Sequence, residues 1–193
     1  VTNGDPTGRS ENSVAGIDFQ YRNSNWRPGK VLLFDSYYMR SISDTEGDDD
    51  SFGATLYLPN EPFSLEARFK QLGRNYAPAL GFVNRLGIRQ YDGIALYRRR
   101  DLGWRWLDLA TSWFAVTDLS NHLESRENGI WAGISLRSND QLYLRAFNNY
   151  EDVPTAFNIA GIVPVPAGRY NWTNANINIS TSGNRAIGVR FDV

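Results

Sequence analysis

Hydrophobic and polar residues alternate one by one along much of this chain, and this period of two constrains the fold more than any other feature. In residues 63–70 every odd position is hydrophobic and every even position is polar or charged. Because successive side chains of a strand point to opposite faces, this segment is predicted to be a strand with one dry side and one wet side. The alternation recurs at 17–22, 52–58, 130–137 and 187–193. No segment has a convincing helical period, so the sequence predicts an all-β protein.

The alternating segments predict about ten strands in one domain that spans residues 1–193. They lie near 14–26, 31–42, 51–58, 63–72, 93–100, 104–116, 130–137, 141–149, 169–181 and 186–193. Tight links rich in turn-forming residues are expected at 27–30, 59–62, 101–103, 138–140 and 182–185. Longer connections are expected between them, at about 43–50, 73–92, 117–129 and 150–168. Short and long connections would then alternate strictly along the chain.

This alternation favours an antiparallel up-and-down, or meander, β-barrel, because successive connections of such a barrel lie at opposite rims. Bacterial outer-membrane barrels have short periplasmic turns, long extracellular loops, apolar residues toward lipid and polar residues toward the lumen. A soluble β-sandwich or lipocalin-like barrel is the alternative, with the apolar faces pointing inward. The start at Val1, in a polar stretch rich in Gly and Pro, is interpreted as an internal cut in a larger barrel.

Composition excludes several classes of function. Lys and Arg number 20 and Asp and Glu number 21, so the formal net charge is −1 and a nucleic-acid partner is not expected. Cysteine is absent, which excludes disulfides, thiolate metal sites and thiol nucleophiles. No apolar run approaches the roughly 18 residues of a membrane helix, so any crossing would be made by strands.

Four stretches together resemble the bacterial family known as domain of unknown function 5916, in the part of it that forms an outer-membrane-type barrel. They are NSVAGIDFQYRN at 12–23, DDDSFGATLYLPNEPF at 48–63, NYAPALGFVNRLGIRQY at 75–91 and VPAGRYNWTNANINISTSGNRAIG at 165–188. The most distinctive motif is PALGFVNR. In the family a carbohydrate-binding-like domain precedes the barrel, and no catalytic residue is assigned to the barrel. The resemblance implies a location in the outer membrane of a Gram-negative bacterium and no chemistry.

The predicted function is therefore a non-enzymatic outer-membrane barrel with a structural or transport role and an unknown solute. Membrane lipid and the remainder of a larger barrel are its expected partners, and no cofactor is expected. One alternative is a soluble periplasmic or secreted carbohydrate-binding module with an oligosaccharide partner. The other is a fragment of a glycoside hydrolase, for which Glu66, Asp108, Glu124 and Glu127 are available carboxylates.

Two sets of side chains are candidates for the functional surface. Mixed charges on the polar faces suit a wet lumen, and the lumenal candidates are Asp18, Arg22, Glu66, Arg68, Lys70, Asp108, Arg137, Arg145, Arg190 and Asp192. Aromatic residues near strand ends suit a girdle at the membrane interfaces or a surface that stacks on sugars. These aromatic candidates are Trp104, Trp106, Trp113, Trp131, Tyr143, Tyr170 and Trp172.

No metal site is predicted. The acidic run that contains Asp48, Asp49 and Asp50 has hard oxygen ligands of the kind that Ca²⁺ takes, but its spacing does not match an EF-hand, and a solvated loop is favoured. His122 is the only histidine, and its default role is that of an exposed loop residue.

Overall fold

The computed structural model describes residues 12–78, 83–100 and 102–193. Within these ranges the chain forms twelve strands and no helix. The strands are β1 (Asn12–Arg27), β2 (Lys30–Ser43), β3 (Asp49–Leu58), β4 (Phe63–Leu72), β5 (Ile88–Arg99), β6 (Trp106–Asp118), β7 (Leu123–Ser135), β8 (Gln141–Val153), β9 (Phe157–Ile159), β10 (Val163–Val165), β11 (Gly168–Ser180) and β12 (Arg190–Asp192). No helix in the described part is long and apolar enough to cross a membrane.

Ten of these strands form one antiparallel sheet in chain order, β1-β2-β3-β4-β5-β6-β7-β8-β11-β12. The predicted all-β meander of ten strands is thereby confirmed. The sheet is not closed into a barrel: among the described residues, β1 pairs only with β2, and β12 pairs only with β11.

The meander places alternate connections at opposite ends of the sheet. The connections 28–29, 59–62, 100–105, 136–140 and 181–189 lie at one end, here called the first rim. The connections 44–48, 73–87, 119–122 and 154–167 lie at the other end, here called the second rim.

The predicted strict alternation of short and long connections is wrong, because 119–122 is shorter than 181–189. Backbone hydrogen bonds extend β6 and β7 through polar residues at the second rim, where side-chain alternation gives no signal. Part of the 73–92 connection, most of the PALGFVNR motif, and Asp101 at the start of one predicted turn lie outside the described residues.

Register between the strands defines two faces of the sheet. Across β3, β4 and β5, Leu58 pairs with Leu65 and Leu65 with Ala95, while Thr55 pairs with Arg68 and Arg68 with Asp92. Paired residues of adjacent strands point to the same side. The side that carries Leu65 is called the apolar face below, and the side that carries Arg68 is called the polar face.

The connection 154–167 contains a small hairpin that the sequence pattern did not predict. Its strands β9 and β10 pair through three residues each, and Ala160 and Gly161 between them have φ of 50° and 73°. Positive φ at both central residues is the geometry of a tight hairpin turn, which glycine favours. The only sequence signal was the apolar run at 159–165, which gives no period to read.

We predict that a side chain at Gly93 destabilises the sheet. Gly93 lies on the apolar face, and an added methyl group would overlap the backbone carbonyl oxygen of Glu66 and the ring of Trp113. Gly93→Ala should therefore lower the free energy of unfolding by about 1–3 kcal/mol. In Gly188→Ala, the matched control, the methyl group meets no atom within 4 Å. Equal losses in the two variants, measured by denaturant titration, would contradict the packing described.

Candidate functional site: the polar face of the sheet

The polar face collects nine of the ten charged residues predicted to face a lumen. Each belongs to the same side through an unbroken chain of paired residues from β1 to β12. They are Asp18, Arg22, Glu66, Arg68, Lys70, Asp108, Arg145, Arg190 and Asp192. The tenth, Arg137, lies in the connection 136–140 at the first rim.

Burial in this sheet is inverted relative to a soluble protein. Apart from Gly93, every buried strand residue of the described part is on the polar face, and the set is Asn12, Ser41, Ser43, Ser51, Gly53, Ile88, Asp108, Val116, Gly129, Gly133, Ser135 and Asn149. The apolar face is open instead, with Ile17 72%, Phe63 68% and Ile130 64% exposed.

A cavity of about 720 Å³ lies over the polar face of β1–β6 and is lined by charges of both signs. Arg68 is its central ion-pairing residue: its Nε is 2.7 Å from Asp92 Oδ2 and 3.5 Å from Glu66 Oε1. Asp18 and Lys70 also line the cavity, as predicted members of the polar face. Asp35, Gln90 and Asp92 line it too, although the sequence analysis did not single them out. Their alternation with apolar neighbours in β2 and β5 was the signal that could have identified them.

A second cluster on the same face joins charged and aromatic side chains. The guanidinium of Arg98 donates two hydrogen bonds to the buried carboxylate of Asp108, at 2.6 and 2.5 Å. Arg98 also lies 5.2 Å from the ring centre of Trp106, which is 5.8 Å from the ring of Tyr143. The guanidinium of Arg145 lies 5.1 Å from the centre of the Tyr143 ring. Pairing of Arg98 with Asp108 satisfies the buried charge, and each cation faces an aromatic π system.

The aromatic candidates divide unequally between the faces. Trp113 is on the apolar face, where its ring covers Gly93. Trp104 lies in the connection 100–105. The other five are on the polar face: Trp106, Trp131, Tyr143, Tyr170 and Trp172. A girdle at membrane interfaces requires rings on the lipid side, so this placement suits the girdle for Trp113 and a lumenal or ligand-binding role for the five.

The acidic run near the second rim is engaged by protein donors. Asp48 and Asp50 each lie 3.3 Å from a nitrogen of Arg40, and Asp50 also accepts a hydrogen bond from the Tyr38 hydroxyl. Asp49 accepts hydrogen bonds from the backbone N–H groups of Asp50 and Asn75. In the described part of the chain no three acidic or histidine side chains are grouped so that they could hold a metal ion.

The connection 73–87 folds back over the polar face of β1–β3. Tyr76 is 4% exposed, and its hydroxyl contacts Met39 Sδ at 3.4 Å. The backbone N–H of Ala77 donates to Ser41 Oγ, and Asn12 Nδ2 donates to the carbonyl of Ala77. This segment therefore covers part of the polar face at the second rim.

The remaining candidates for chemistry are held in ion pairs or stand alone. Glu66 and Asp108 face arginines, as described above, and Glu124 Oε2 lies 2.7 Å from Arg85. His122 is half exposed, with Nε2 2.8 Å from Asp152 Oδ2. Glu127 is exposed on the polar face. The glycoside hydrolase alternative stays a prediction.

No protein-family model, curated protein sequence or solved structure matches this chain. The resemblance to the barrel family therefore remains a prediction.

Asp140 ties two neighbouring connections together at the first rim. Its carboxylate accepts hydrogen bonds from the Ser138 hydroxyl at 2.7 Å and from the backbone N–H of Ser182 at 2.9 Å, and it pairs with Arg185. In that order, these three interactions lower the pKa of Asp140 below its ordinary value of 3.8. Each stabilises the ionised carboxylate.

We predict that this link is lost in acid. Since the pKa of Asp140 is lower in the folded chain, its contribution to stability is present above pH 3.8 and disappears as the pH falls through the folded pKa. Asp140→Asn should therefore lower the melting temperature near neutral pH, and the difference from the unaltered chain should vanish in strong acid. Asp44→Asn, in the exposed connection 44–48, is the control. A difference for Asp140→Asn that persists unchanged at low pH would contradict this role.

Proposed function

We propose that this chain forms the wall of a bacterial outer-membrane β-barrel, with the apolar face toward lipid and the polar face toward a wet lumen. Its role is structural or in transport, and it makes no chemical conversion. The periplasmic connections would be those of the first rim, and the extracellular connections those of the second rim. This orientation puts the two longest connections, 73–87 and 154–167, outside the cell.

The inverted burial is the observation that carries this proposal. A water-soluble sheet must cover its apolar face with another layer of helices or strands. The described residues include only one further element, the short β9–β10 hairpin, and large side chains of the apolar face stay exposed across the sheet. Lipid supplies the missing cover without a second layer. The mixed charges of the opposite face would be costly in hydrocarbon and suit water.

The apolar residues also form a band that crosses the strands obliquely. Following paired residues straight across from Phe19 leads through Phe69 to Arg126 on β7 and Asn171 on β11. The hydrophobic residues of β11 are instead centred on Ile177, which lies six residues from Asn171 toward the first rim.

Such an oblique band is the trace that a flat slab of hydrocarbon leaves on tilted strands. Six residues at about 3.3 Å make about 20 Å, and eight strand spacings of about 4.8 Å make about 38 Å. The strands would then be tilted about 30° from the membrane normal, near the roughly 35–45° of outer-membrane barrels. A soluble sheet packed on a second layer has no reason to carry a band of this slope.

A membrane location requires that the two open edges of the sheet be paired, since unpaired backbone groups are not tolerated in hydrocarbon. β1 presents sixteen residues at its edge, whereas β12 has three. The proposal therefore includes closure of the barrel, either by a longer pairing of β1 with the last strand or by further strands between them.

The second candidate function is a soluble extracytoplasmic carbohydrate-binding module. The observation that favours it is the placement of five aromatic candidates on the polar face, where they could stack on a sugar outside a membrane as well as inside a lumen. The two candidates differ in what covers the apolar face, and this difference can be measured.

We predict that lipid contacts Trp113 and not Trp131. Two variants that each retain one of these tryptophans, with the other five replaced by Phe, would be refolded into vesicles of phosphatidylcholine with brominated acyl chains. Bromine should quench the fluorescence of Trp113 on the apolar face. Trp131 on the polar face should escape bromine and be quenched by acrylamide added in water. The reverse pattern, or no quenching of Trp113 by bromolipid, would defeat the membrane proposal.

An arginine on the apolar face should also be far more damaging than one on the polar face. Ile130 lies near the middle of the apolar band, so Ile130→Arg should cost about 2–4 kcal/mol in the membrane. Glu127→Arg, on the polar face of the same strand, should cost much less. In the soluble alternative Ile130 is an exposed residue, and its replacement should change stability by less than about 0.5 kcal/mol. Unfolding titrations of both variants would distinguish the two candidates.

A further inference from the structure

The polar face carries an unbroken series of aromatic side chains along the strand direction. Successive polar-face positions of β8 run from Gln141 to Glu151, and each is level with one aromatic ring on β6, β7, β8 or β11. In order from the first rim to the second rim the rings belong to Trp106, Tyr143, Trp131, Phe147, Trp172 and Tyr170. These six residues are called the aromatic track.

Glycines let these rings lie against the sheet. A methyl group at Gly133 would come within 2.7 Å of the Tyr143 ring, and one at Gly129 would come within 2.7 Å of the Phe147 ring. The rings thus occupy the space of missing side chains and form a low, apolar strip. They are not sealed in a core, since Trp172 is 48% exposed and the other five are part-exposed.

The aromatic track and the apolar band on the other face cross at roughly a right angle. Ten residues of β8 cover about 34 Å, and the shift from β6 to β11 is about 14 Å, so the track leans about 22° from the strand direction. The membrane normal implied by the slope of the band leans about 28° from the strands in the same direction. The track would therefore run straight through the membrane, from one rim of the lumen to the other.

Hydrogen-bonding side chains border the track on both sides. Arg98, Asp108 and Arg145 lie next to the rings near the first rim. Polar-face asparagines of β11, Asn174, Asn176 and Asn178, lie level with Phe147, Arg145 and Tyr143. Glu127 lies level with Trp172 through Asn149. Two arginines balance two acids, so the border has donors and acceptors but no net charge.

We propose that the aromatic track binds a neutral linear oligosaccharide and guides it through the lumen, an inference that names the solute class of the barrel and so rests on the proposed function. A sugar ring has an apolar face of C–H groups that stacks on an aromatic ring and a rim of hydroxyls that need donors and acceptors. A row of rings with polar borders matches both. An aliphatic chain would leave the polar borders unused, and a polyanion would meet no excess of positive charge.

The test measures binding of neutral linear oligosaccharides, from maltose to maltohexaose and from cellobiose to cellohexaose, to the detergent-solubilised chain by calorimetry. Affinity should rise with length. Trp131→Ala and Trp172→Ala should each weaken hexasaccharide binding about tenfold, the loss that corresponds to about 1.4 kcal/mol. Trp131→Phe should retain most of the affinity, because a ring remains. Trp113→Ala, on the apolar face, is the matched control and should leave the affinity unchanged.

Failure of this inference and failure of the proposed function have different signatures. If Trp113 is quenched by bromolipid but no oligosaccharide of either series binds, or if Trp113→Ala weakens binding as much as Trp131→Ala, the track is not a sugar site and the barrel proposal stands. If binding follows the track variants while Trp113 escapes bromolipid and Ile130→Arg is harmless, the sugar site stands and the membrane location fails. Tighter binding of an oligogalacturonate than of the neutral chains would overturn the assignment to a neutral sugar.

Discussion

The continuous antiparallel register from β1 to β11 is the constraint on which the rest of this structure depends. Side chains of a strand alternate between two faces, so a slip of one residue between any two strands would exchange the faces of everything beyond it. No such exchange occurs: residues paired across the sheet keep Phe19, Leu65 and Ile130 on one side, while Asp18, Arg68 and Arg145 stay on the other. The separation of a dry face from a wet face is therefore a property of the whole sheet.

The inversion of burial follows from that separation. Small and polar residues on the polar face lie beneath aromatic rings, arginines and the returning segment around Tyr76, so they are the buried residues of the sheet. The apolar face has no comparable cover in the described part of the chain. Exposed hydrophobic surface of this extent is a site of contact with something other than water. The slope of the apolar band across the strands indicates that the contact is a flat slab, which is why lipid is a better cover than a second protein layer.

Both sides of the sheet point to one axis. The apolar band gives the orientation of the sheet in a membrane, and the aromatic track on the other side runs close to the normal of that membrane. The two features consist of different residues on opposite faces, and neither requires the other for folding. A lumen that guides a solute across the membrane would require both.

Much of this could be predicted from the sequence, and the limits have physical reasons. Alternation within a strand is local, so residues 63–70 already showed that Leu65 and Arg68 point to opposite sides, and ten such segments predicted the ten-stranded meander. Strand ends were misjudged where polar residues continue a strand, as at 123–129 in β7, because backbone hydrogen bonds do not depend on side-chain polarity. The aromatic candidates were identified, but five of the seven lie on the face that a girdle would not use.

The sequence by itself determined the all-β class, the number of strands in the sheet and the two sides of each strand, because each depends on a period of two within a few residues. Only the tertiary structure decided which residues of different strands lie level with one another, since register is set by hydrogen bonds between segments far apart in the chain. The aromatic track joins Trp106, Trp131 and Trp172 from three strands, and the slope of the apolar band joins Phe19 to Ile177. Neither feature exists in any one segment of the sequence; both arise when the strands pair.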